Sequence, residues 1–404
     1  MAVGQYEHPL MPAIAGISLG TTCAGIKQII KDDLLLIELV EGSSCAAVFT
    51  QNAFCAAPVI VAREHLKHAP RWLLINSGNA NAGTGEQGMA DALNSCASVA
   101  EIVSGNAEQV LPFSTGVIGQ KLPLAKIQAA LPAAQQNLSE ANWDKAAKAI
   151  MTTDTFAKAV THSIVIDGQT ITFNGISKGA GMIQPNMATM LAYIGTDAPI
   201  SQGLLQDCLS EAAELSFNRI TVDGDTSTND ACVVMASGKA AIAPIEAGTE
   251  NYRLFADALL KVAKQLAELI IRDGEGATKL MRIVVAEAAS DEEAVRVAKT
   301  IAHSPLVKTA FFASDPNWGR ILAAVGRAGV EAMILEKVQI YLNEVCIVRN
   351  GGVADDYTES AGQTVMNQTE ITISVNLGRG INSQEVLTCD FSYDYVKINA
   401  EYRT

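Results

Sequence analysis

Short apolar runs and longer amphipathic stripes alternate along the chain. The runs at residues 33–40 (DLLLIELV) and 71–76 (RWLLIN) are nearly unbroken, and loops of small or polar residues follow them. Apolar runs of this length are typical of strands that are covered on both faces. We therefore predict two buried strands, each leading into a loop.

Three segments carry the helical repeat of apolar residues. Over residues 201–217, Ser201 is a candidate N-cap. The stripe that follows it consists of Leu205, Cys208, Leu209, Ala212 and Leu215. A second helix is predicted over residues 252–273, ending before Gly274. A third begins at Ser290, because the three acidic residues after it complement the positive end of a helix dipole.

The last part of the chain is dominated by strand-like patterns, at residues 337–348, 369–377 and 385–399. In the last of these, polar residues alternate with Leu387, Cys389, Phe391, Tyr393 and Tyr395. This alternation predicts a strand with one buried face. Long helices together with such strands indicate a layered α/β or α+β fold.

Composition narrows the function classes. With 404 residues, of which 49% are hydrophobic, the chain can bury a large core. The net charge of -14 and the absence of a Lys/Arg-rich run argue against a nucleic-acid partner. No apolar run reaches the length of a membrane span. A secretory signal begins with positively charged residues, but no Lys or Arg precedes Lys27. We expect a cytoplasmic protein that does not bind membranes.

The cysteines and histidines give no metal motif. The eight cysteines are scattered without a Cys-x-x-Cys pair, and we interpret them as buried free thiols. His65 and His68 are three residues apart but lack thiol or carboxylate partners, so we predict a surface helix here. No metal site is expected.

Two short motifs match known sites only in part. Residues 16–20 (GISLG) have the spacing of a nucleophile elbow around Ser18, but no helix is predicted after it. Residues 223–230 (DGDTSTND) have nearly the spacing of a calcium loop, without the terminal Glu or flanking helices of an EF-hand. We interpret the second motif as a polar loop near the active region.

A different chemistry is indicated by residues 178–197 (KGAGMIQPNMATMLAYIGTD), where Ala188 precedes Thr189 at the start of an apolar strand. A threonine hydroxyl needs a base, and no histidine is near in sequence. If the Thr189 hydroxyl attacks the Ala188 carbonyl, an N-to-O acyl shift and ester hydrolysis free an α-amino group that titrates near neutral pH. That amine can serve as the base. The residues alone do not exclude the alternative that Thr189 is an ordinary residue at the start of a strand and that no cleavage occurs.

The same stretch resembles the processing site of the bifunctional glutamate N-acetyltransferase and ornithine acetyltransferase family of arginine biosynthesis. Further segments are similar to that family in the same order, so the resemblance covers the chain essentially from end to end. They are residues 49–59 (FTQNAFCAAPV), 75–85 (INSGNANAGTG), 114–119 (STGVIG), 151–155 (MTTDT), 221–230 (TVDGDTSTND), 272–279 (RDGEGATK), 315–321 (DPNWGRI) and 393–404 (YDYVKINAEYRT).

The resemblance implies a fold similar to N-terminal-nucleophile hydrolases, though of distinct topology: a sandwich of mixed sheets between helices. It implies self-cleavage between Ala188 and Thr189 into an α chain, residues 1–188, and a β chain, residues 189–404. The α chain would carry the oxyanion hole and part of the substrate site, and the β chain the nucleophile and the rest. The two chains are expected to form an α2β2 heterotetramer or a larger assembly.

Site residues follow from the same resemblance. Thr189 is the expected nucleophile, and Thr115 and Gly116 are the expected oxyanion hole. The expected substrate-binding residues are Thr152, Lys178, Thr189, Glu275, Asn399 and Thr404. Because the substrates are amino acids, the pocket needs both signs of charge. Lys178 suits a substrate carboxylate, and Glu275 suits the ammonium of ornithine.

The implied reaction is ping-pong acetyl transfer. Thr189 takes the acetyl group from N-acetylornithine, and glutamate then takes it from the acetyl-threonine ester. No metal or cofactor is required, and the sequence leaves open whether acetyl-CoA also serves as donor. The alternative is an aminopeptidase or amidase with the same kind of nucleophile, for which water is the acceptor.

Overall fold

The computed structural model describes residues 3–4, 6–184 and 190–401. The strands in this part of the chain are β1 (Ile17–Thr22), β2 (Leu34–Leu39), β3 (Ser44–Phe49), β4 (Trp72–Asn79), β5 (Val110–Val117), β6 (Lys158–Ile166), β7 (Gln169–Lys178), β8 (Leu191–Thr196), β9 (Ala231–Ala236), β10 (Leu280–Ala288), β11 (Gln339–Leu342), β12 (Val345–Arg349), β13 (Gly352–Val353), β14 (Glu370–Asn376) and β15 (Asn382–Cys389). The α-helices are α1 (Ala57–His65), α2 (Gly85–Val103), α3 (Leu124–Gln136), α4 (Trp143–Ala149), α5 (Gln202–Glu214), α6 (Glu250–Arg272), α7 (Asp291–Ala302), α8 (Pro305–Phe312), α9 (Trp318–Gly326), α10 (Glu359–Met366) and α11 (Tyr393–Ala400).

These strands form three mixed sheets. The first has the order β1-β2-β4-β5, the second β3-β9-β8-β7-β6, and the third β13-β12-β11-β14-β10-β15. One neighbouring pair in each sheet is parallel, namely β4–β5, β8–β9 and β10–β14, and the other pairs are antiparallel.

The first two sheets pack face to face over a shared apolar core. Side chains along β2 alternate between its two faces. Leu35, Ile37 and Leu39 join the core between the sheets, whereas Leu34 and Leu36 join a second core beneath α1, α2 and α3. Both faces of β2 are therefore buried, which accounts for its continuous apolar run.

Helices α5 and α6 cover the outer face of the second sheet. Leu205 and Leu209 of α5, and Leu259 and Leu266 of α6, pack in one cluster with side chains of that sheet such as Val234. The layers are thus helices, sheet, sheet, helices. This confirms the predicted sandwich of mixed sheets between helices. We call β1 to β9 with α1 to α6 the sandwich.

The third sheet has its own core. Its strands and α7 to α10, which we call the six-stranded unit, share an apolar cluster that includes Ile283, Val297, Ile340 and Ile373. After β15 the chain returns to the sandwich through α11. None of the helices in the described residues has both the length and the apolar character needed to span a bilayer.

The predicted buried strands are confirmed as β2 and β4, and the three predicted helices as α5, α6 and α7. The strand predicted over residues 385–399 is wrong in its second half, since β15 ends at Cys389 and α11 begins at Tyr393. Ser392 Oγ accepts a hydrogen bond from the Tyr395 N–H at 3.4 Å, and Asp394 lies in the first turn. These helix-start signals outweigh the apolar alternation. Tyr393, predicted to be buried, is 83% exposed.

Smaller predictions also need correction. His65 is buried rather than exposed, and its Nδ1 lies 2.8 Å from the carbonyl oxygen of Val110. The cysteines are free thiols, but Cys23 is exposed and two others are only partly buried. Ser201 occupies the N-cap position of α5 without a capping hydrogen bond from its side chain.

Candidate active site

A cavity of about 840 Å³, including the part open to solvent, lies where several strand ends of the sandwich meet. Six predicted site residues line it: Thr115, Gly116, Thr152, Lys178, Glu275 and Asn399. They come from β5, the loop before β6, β7, the loop after α6, and α11. The fold thus gathers residues that are far apart in sequence, while their individual roles remain predictions. Ala188, Thr189 and Thr404 lie outside the described residues.

Met190, the residue bonded to Thr189, also lines the cavity. Its carbonyl oxygen accepts a hydrogen bond from the Ala231 N–H at 2.9 Å, just before β8 pairs with β9. On the other side of residues 185–189, the Thr226 hydroxyl donates to the carbonyl of Gln184 at 3.2 Å. The described chain is therefore held on both sides of that segment.

Gly116 stands where two backbones approach closely at the end of the parallel β4–β5 pair. Its φ is +133°, and a Cβ atom there would lie 2.2 Å from the carbonyl carbon of Gly78. A residue with a side chain could not occupy this position without moving the backbone. Next to it, Asn229 Nδ2 donates to the carbonyl of Ser114 at 2.9 Å, which ties β5 to the loop before β9.

Glu275 forms the acidic side of the cavity. Its side chain is mostly buried, and its Oε2 accepts a hydrogen bond from Asn399 Nδ2 at 2.9 Å. Its backbone N–H donates to the Ala180 carbonyl at 2.8 Å. A Cβ atom on Gly181 would lie 2.3 Å from Glu275 Oε2, so glycine at that position makes room for the carboxylate. Helix α11 thus orients a charged group on the sandwich.

A buried ion cluster lies behind the basic side of the cavity. Lys158 Nζ is 2.5 Å from Asp154 Oδ1 and 2.6 Å from Asp273 Oδ2, and all three side chains have no exposed surface. Asp273 also accepts hydrogen bonds from the backbone and hydroxyl of Thr155. A lysine buried in this way needs such partners, because an unpaired charge in the interior is very costly.

The cluster fixes two segments that reach the cavity. The other oxygen of Asp154 accepts from the Thr152 N–H at 2.8 Å, and its Oδ1 accepts from the Gly179 N–H at 2.8 Å. Burial by itself would raise the pKa of Asp154. The charge of Lys158, helped by that of Lys178, outweighs burial and holds this pKa well below its ordinary range. Asp154 is therefore ionised when it positions Thr152 and the residue after Lys178.

Sequence reasoning missed the three charges of this cluster as a group. Asp154 and Asp273 both fall in segments that resemble the family, which was the only available signal. Nothing in the sequence connects Lys158 with Asp273, since 115 residues separate them.

The loop at residues 223–230 was expected near the active region, and four of its residues, at 227–230, line the cavity. Among the described residues, no three His, Cys, Asp or Glu side chains converge so as to hold a metal ion.

The two-sheet sandwich between helices, with Lys178 and Glu275 lining one cavity, places the chain among α/β proteins with a charged binding site. The model of the ArgJ family matches residues 18–404. The arginine biosynthesis bifunctional protein ArgJ of Methylococcus capsulatus is 63% identical over 97% of this chain and 96% of its own. The protein of that name from Pseudomonas fluorescens is 53% identical over 100% of both chains.

A solved structure is also similar over about half of this chain. The crystal structure of arginine biosynthesis bifunctional protein ArgJ from Bacillus halodurans is 42% identical and aligns with a TM-score of 0.50. It covers 52% of this chain and 97% of the crystallised one. The chain therefore belongs to the ArgJ family of arginine-biosynthesis enzymes, and the family predicted from the sequence motifs is confirmed.

Proposed function

We propose that the protein transfers the acetyl group of N-acetylornithine to glutamate through an acetyl ester on Thr189. One observation carries this proposal. The residues predicted for the oxyanion hole and the substrate pocket, other than the two outside the described chain, line one cavity with Met190, to which Thr189 is bonded. Relatives named as bifunctional proteins of arginine biosynthesis are consistent with it.

In the first half-reaction, the free α-amino group of Thr189 accepts the hydroxyl proton while Oγ attacks the acetamide carbon. A tetrahedral oxyanion forms. Donors from Thr115 and Gly116 stabilise it, an interaction worth roughly 3 to 4 kcal/mol per donor in comparable sites. The C–N bond then breaks, the proton passes to the leaving amine, and ornithine departs from the acetyl ester.

In the second half-reaction, the amine of glutamate attacks the ester carbonyl. The ester C–O bond breaks, Thr189 Oγ regains a proton, and N-acetylglutamate leaves. Transfer has to be faster than hydrolysis, so water must be kept from the ester until the acceptor amine binds.

The two charged residues each bind one charged group of the substrate. Lys178 pairs with the α-carboxylate, and Glu275 pairs with the ammonium group of ornithine. Asn399 orients Glu275 through the 2.9 Å hydrogen bond. Thr152 adds a hydroxyl on a backbone that Asp154 holds in place. Thr404 stays a predicted substrate contact.

The nucleophile requires cleavage between Ala188 and Thr189, giving an α chain of residues 1–188 and a β chain of residues 189–404 that assemble as α2β2. The coverage of the Bacillus halodurans structure supports this division. Since 97% of that crystallised chain corresponds to 52% of this one, it is about half as long. A chain of that length has the size expected of one cleavage product.

Two further features belong to the proposal. The reaction as written uses no metal or cofactor, and acetyl-CoA is a second candidate donor, whose use would also supply new acetyl groups. The compartment is the cytoplasm, where soluble amino-acid substrates of this kind are available. The alternative function is an aminopeptidase or amidase, in which water takes the acyl group from Thr189.

Denaturing mass spectrometry of the purified protein is the first test. We expect two fragments, one ending at Ala188 and one starting at Thr189, and a single uncut chain from Thr189→Ala. Cleavage of the Thr189→Ala variant would remove the self-processing step. Turnover is then measured with N-acetylornithine, with and without glutamate. Acetate release at full rate without glutamate would favour the hydrolase.

A further inference from the structure

Asp230 lies beside Met190, the residue bonded to Thr189, and has no role in the mechanism above. It precedes Ala231, the first residue of β9, which is paired with Leu191 at the start of β8. One step back along both strands, Asp230 is the neighbour of Met190. It also lines the cavity.

The backbone around Asp230 is held on both sides. Its carbonyl oxygen accepts from the Thr50 N–H at 3.0 Å, and the N–H of Ala231 donates to Met190 at 2.9 Å. The preceding residue, Asn229, is anchored by its own side chain, which donates to the carbonyls of Ala80 and Ser114. The carboxyl group is therefore presented from a rigid support.

One oxygen of this carboxyl group lacks a partner. Asp230 is only 3% exposed, and among the described residues nothing hydrogen-bonds to its Oδ2. Burial raises the pKa of Asp230 well above its ordinary value, and the opposing effects of Ser227 and Lys178 do not cancel it. A carboxyl group whose pKa is raised in this way binds its proton at a higher pH than an ordinary aspartic acid, and the protonated form can donate a hydrogen bond.

We propose that Asp230 binds substrate as an un-ionised carboxylic acid, donating a hydrogen bond from its carboxyl group to the substrate α-carboxylate beside Lys178. The inference rests on the proposed function, since it uses the same pocket and the same carboxylate. Lys178 supplies the charge for this recognition, and Asp230 supplies a neutral donor that adds no second positive charge. Were Asp230 ionised, it would repel the carboxylate instead.

The ionisable groups around Asp230 act in different directions. Lys178, at the end of β7, favours its ionised form. From the loop before α1, Cys55 interacts with it, and burial raises the pKa of that thiol too. Arg63 of α1 acts on Cys55 in the opposite sense. The pH dependence of the activity can therefore be assigned to Asp230 only by comparison with a variant that lacks this carboxyl group.

The experiment compares wild type, Asp230→Asn and Asp230→Ala. Infrared difference spectra at neutral pH report protonation directly, and we expect a protonated-carboxyl band in wild type that Asp230→Asn lacks. In kinetics, Asp230→Ala is expected to raise KM for glutamate roughly ten- to hundredfold, the range for a lost hydrogen bond to a charged group. Asp230→Asn keeps a donor, so its KM is expected to stay within about threefold of wild type, as the same scale implies.

Each contrary result overturns the inference. If wild type lacks a protonated-carboxyl band that Asp230→Asn removes, Asp230 is ionised. An unchanged KM in Asp230→Ala removes the substrate contact, and an equal rise in both variants removes the donor role. Asp91→Asn, which alters a buried carboxyl group of α2 that is not part of the cavity lining, is the control for a general structural effect. If a variant is not cleaved, glutamate affinity is measured by calorimetry instead. Failure of wild type to transfer acetyl groups would reject the proposed function, while the infrared result would still stand.

Discussion

The sandwich and the six-stranded unit bury polar groups in different ways. In the six-stranded unit, buried charges are held by structural partners: Lys308 Nζ is 2.7 Å from Thr388 Oγ1, and Glu293 accepts from the Ala289 N–H and from Arg379. In the sandwich, the buried cluster around Lys158 and the carboxyl group of Asp230 lie at the strand ends that surround one cavity.

The contrast extends to atoms that lack partners. Among buried side-chain polar atoms without a hydrogen bond in the described part of the chain, only His303 Nε2 belongs to the six-stranded unit, and the others, including Asp230 Oδ2, belong to the sandwich. An unsatisfied buried polar group costs about 1 to 3 kcal/mol. Both regions therefore bury polar groups with partners, but most of the unpartnered ones among the described residues lie in the sandwich.

The largest expected effect on turnover concerns two glycines, one in each region. Gly116→Ala forces a Cβ atom against Gly78 beside the proposed oxyanion hole, so we expect kcat to fall by roughly a hundred- to a thousandfold. Gly329 also has a positive φ, +68°, but open space around it. Gly329→Ala is expected to cost about 1 to 2 kcal/mol of stability and to leave turnover unchanged. Steady-state kinetics and denaturant unfolding check both, and equal activities would break the comparison.

The second prediction uses the two buried lysines. Lys158→Met leaves Asp154 and Asp273 buried without their cation, so we expect a loss of roughly 3 to 5 kcal/mol in the free energy of unfolding. Lys308→Met leaves only neutral partners, the hydroxyl of Thr388 and a backbone carbonyl. Its expected loss is about 1 to 2 kcal/mol. Urea denaturation measures both, and a smaller loss for Lys158→Met would contradict the assigned difference.

The third prediction concerns α11, which links the two regions. Asn399→Ala removes the hydrogen bond to Glu275, so we expect KM for N-acetylornithine to rise roughly tenfold with little change in folding stability. Val396, on the same helix, is 66% exposed, and Val396→Ala is the matched control. Comparable KM values for the two variants would mean that α11 does not orient the acidic side of the cavity.

The smallest expected effect is a pH dependence in the six-stranded unit. Burial lowers the pKa of Lys308 in the folded protein relative to the unfolded chain, so the unfolded state binds more protons between the two pKa values. The contribution of Lys308 to stability therefore increases as pH rises through that interval toward the ordinary lysine value. Unfolding free energies of wild type and Lys308→Met, measured across alkaline pH, give this difference. A difference that shrinks as pH rises would contradict it.

Local patterns were sufficient for much of the fold. The apolar stripe of α6 and the acidic first turn of α7 each encode a helix within a few residues, so the sequence predicts them directly. The segment from Phe391 to Tyr395 was wrongly predicted as a strand because aromatic residues alternate with polar ones there. Ser392 instead caps the N-terminus of a helix. Where two local signals conflict, hydrophobic period alone is insufficient.

The site was predictable only as far as family motifs reach. Those motifs identify Lys178, Glu275 and Asn399, but the spacing of these residues along the sequence does not predict that they meet at one cavity. The support behind them depends on tertiary contacts, such as Lys158 with Asp273, that no local pattern encodes. The raised pKa of Asp230 likewise has burial as its main cause, and burial is revealed only by the folded structure.

The pairing of β7 with β8 has a consequence for how the protein is made. Lys178 and Leu191 are partners in this antiparallel pair, so the two strands remain hydrogen-bonded whether or not the peptide between residues 188 and 189 is intact. The second sheet interleaves strands from both sides of that peptide, in the order β3-β9-β8-β7-β6. The first sheet lies entirely before residue 188 and the third entirely after residue 189, so the second is the sheet that this peptide divides. Two separately expressed halves would each expose the unpaired edges of their strands from the second sheet, whereas one polypeptide brings these edges together as it folds.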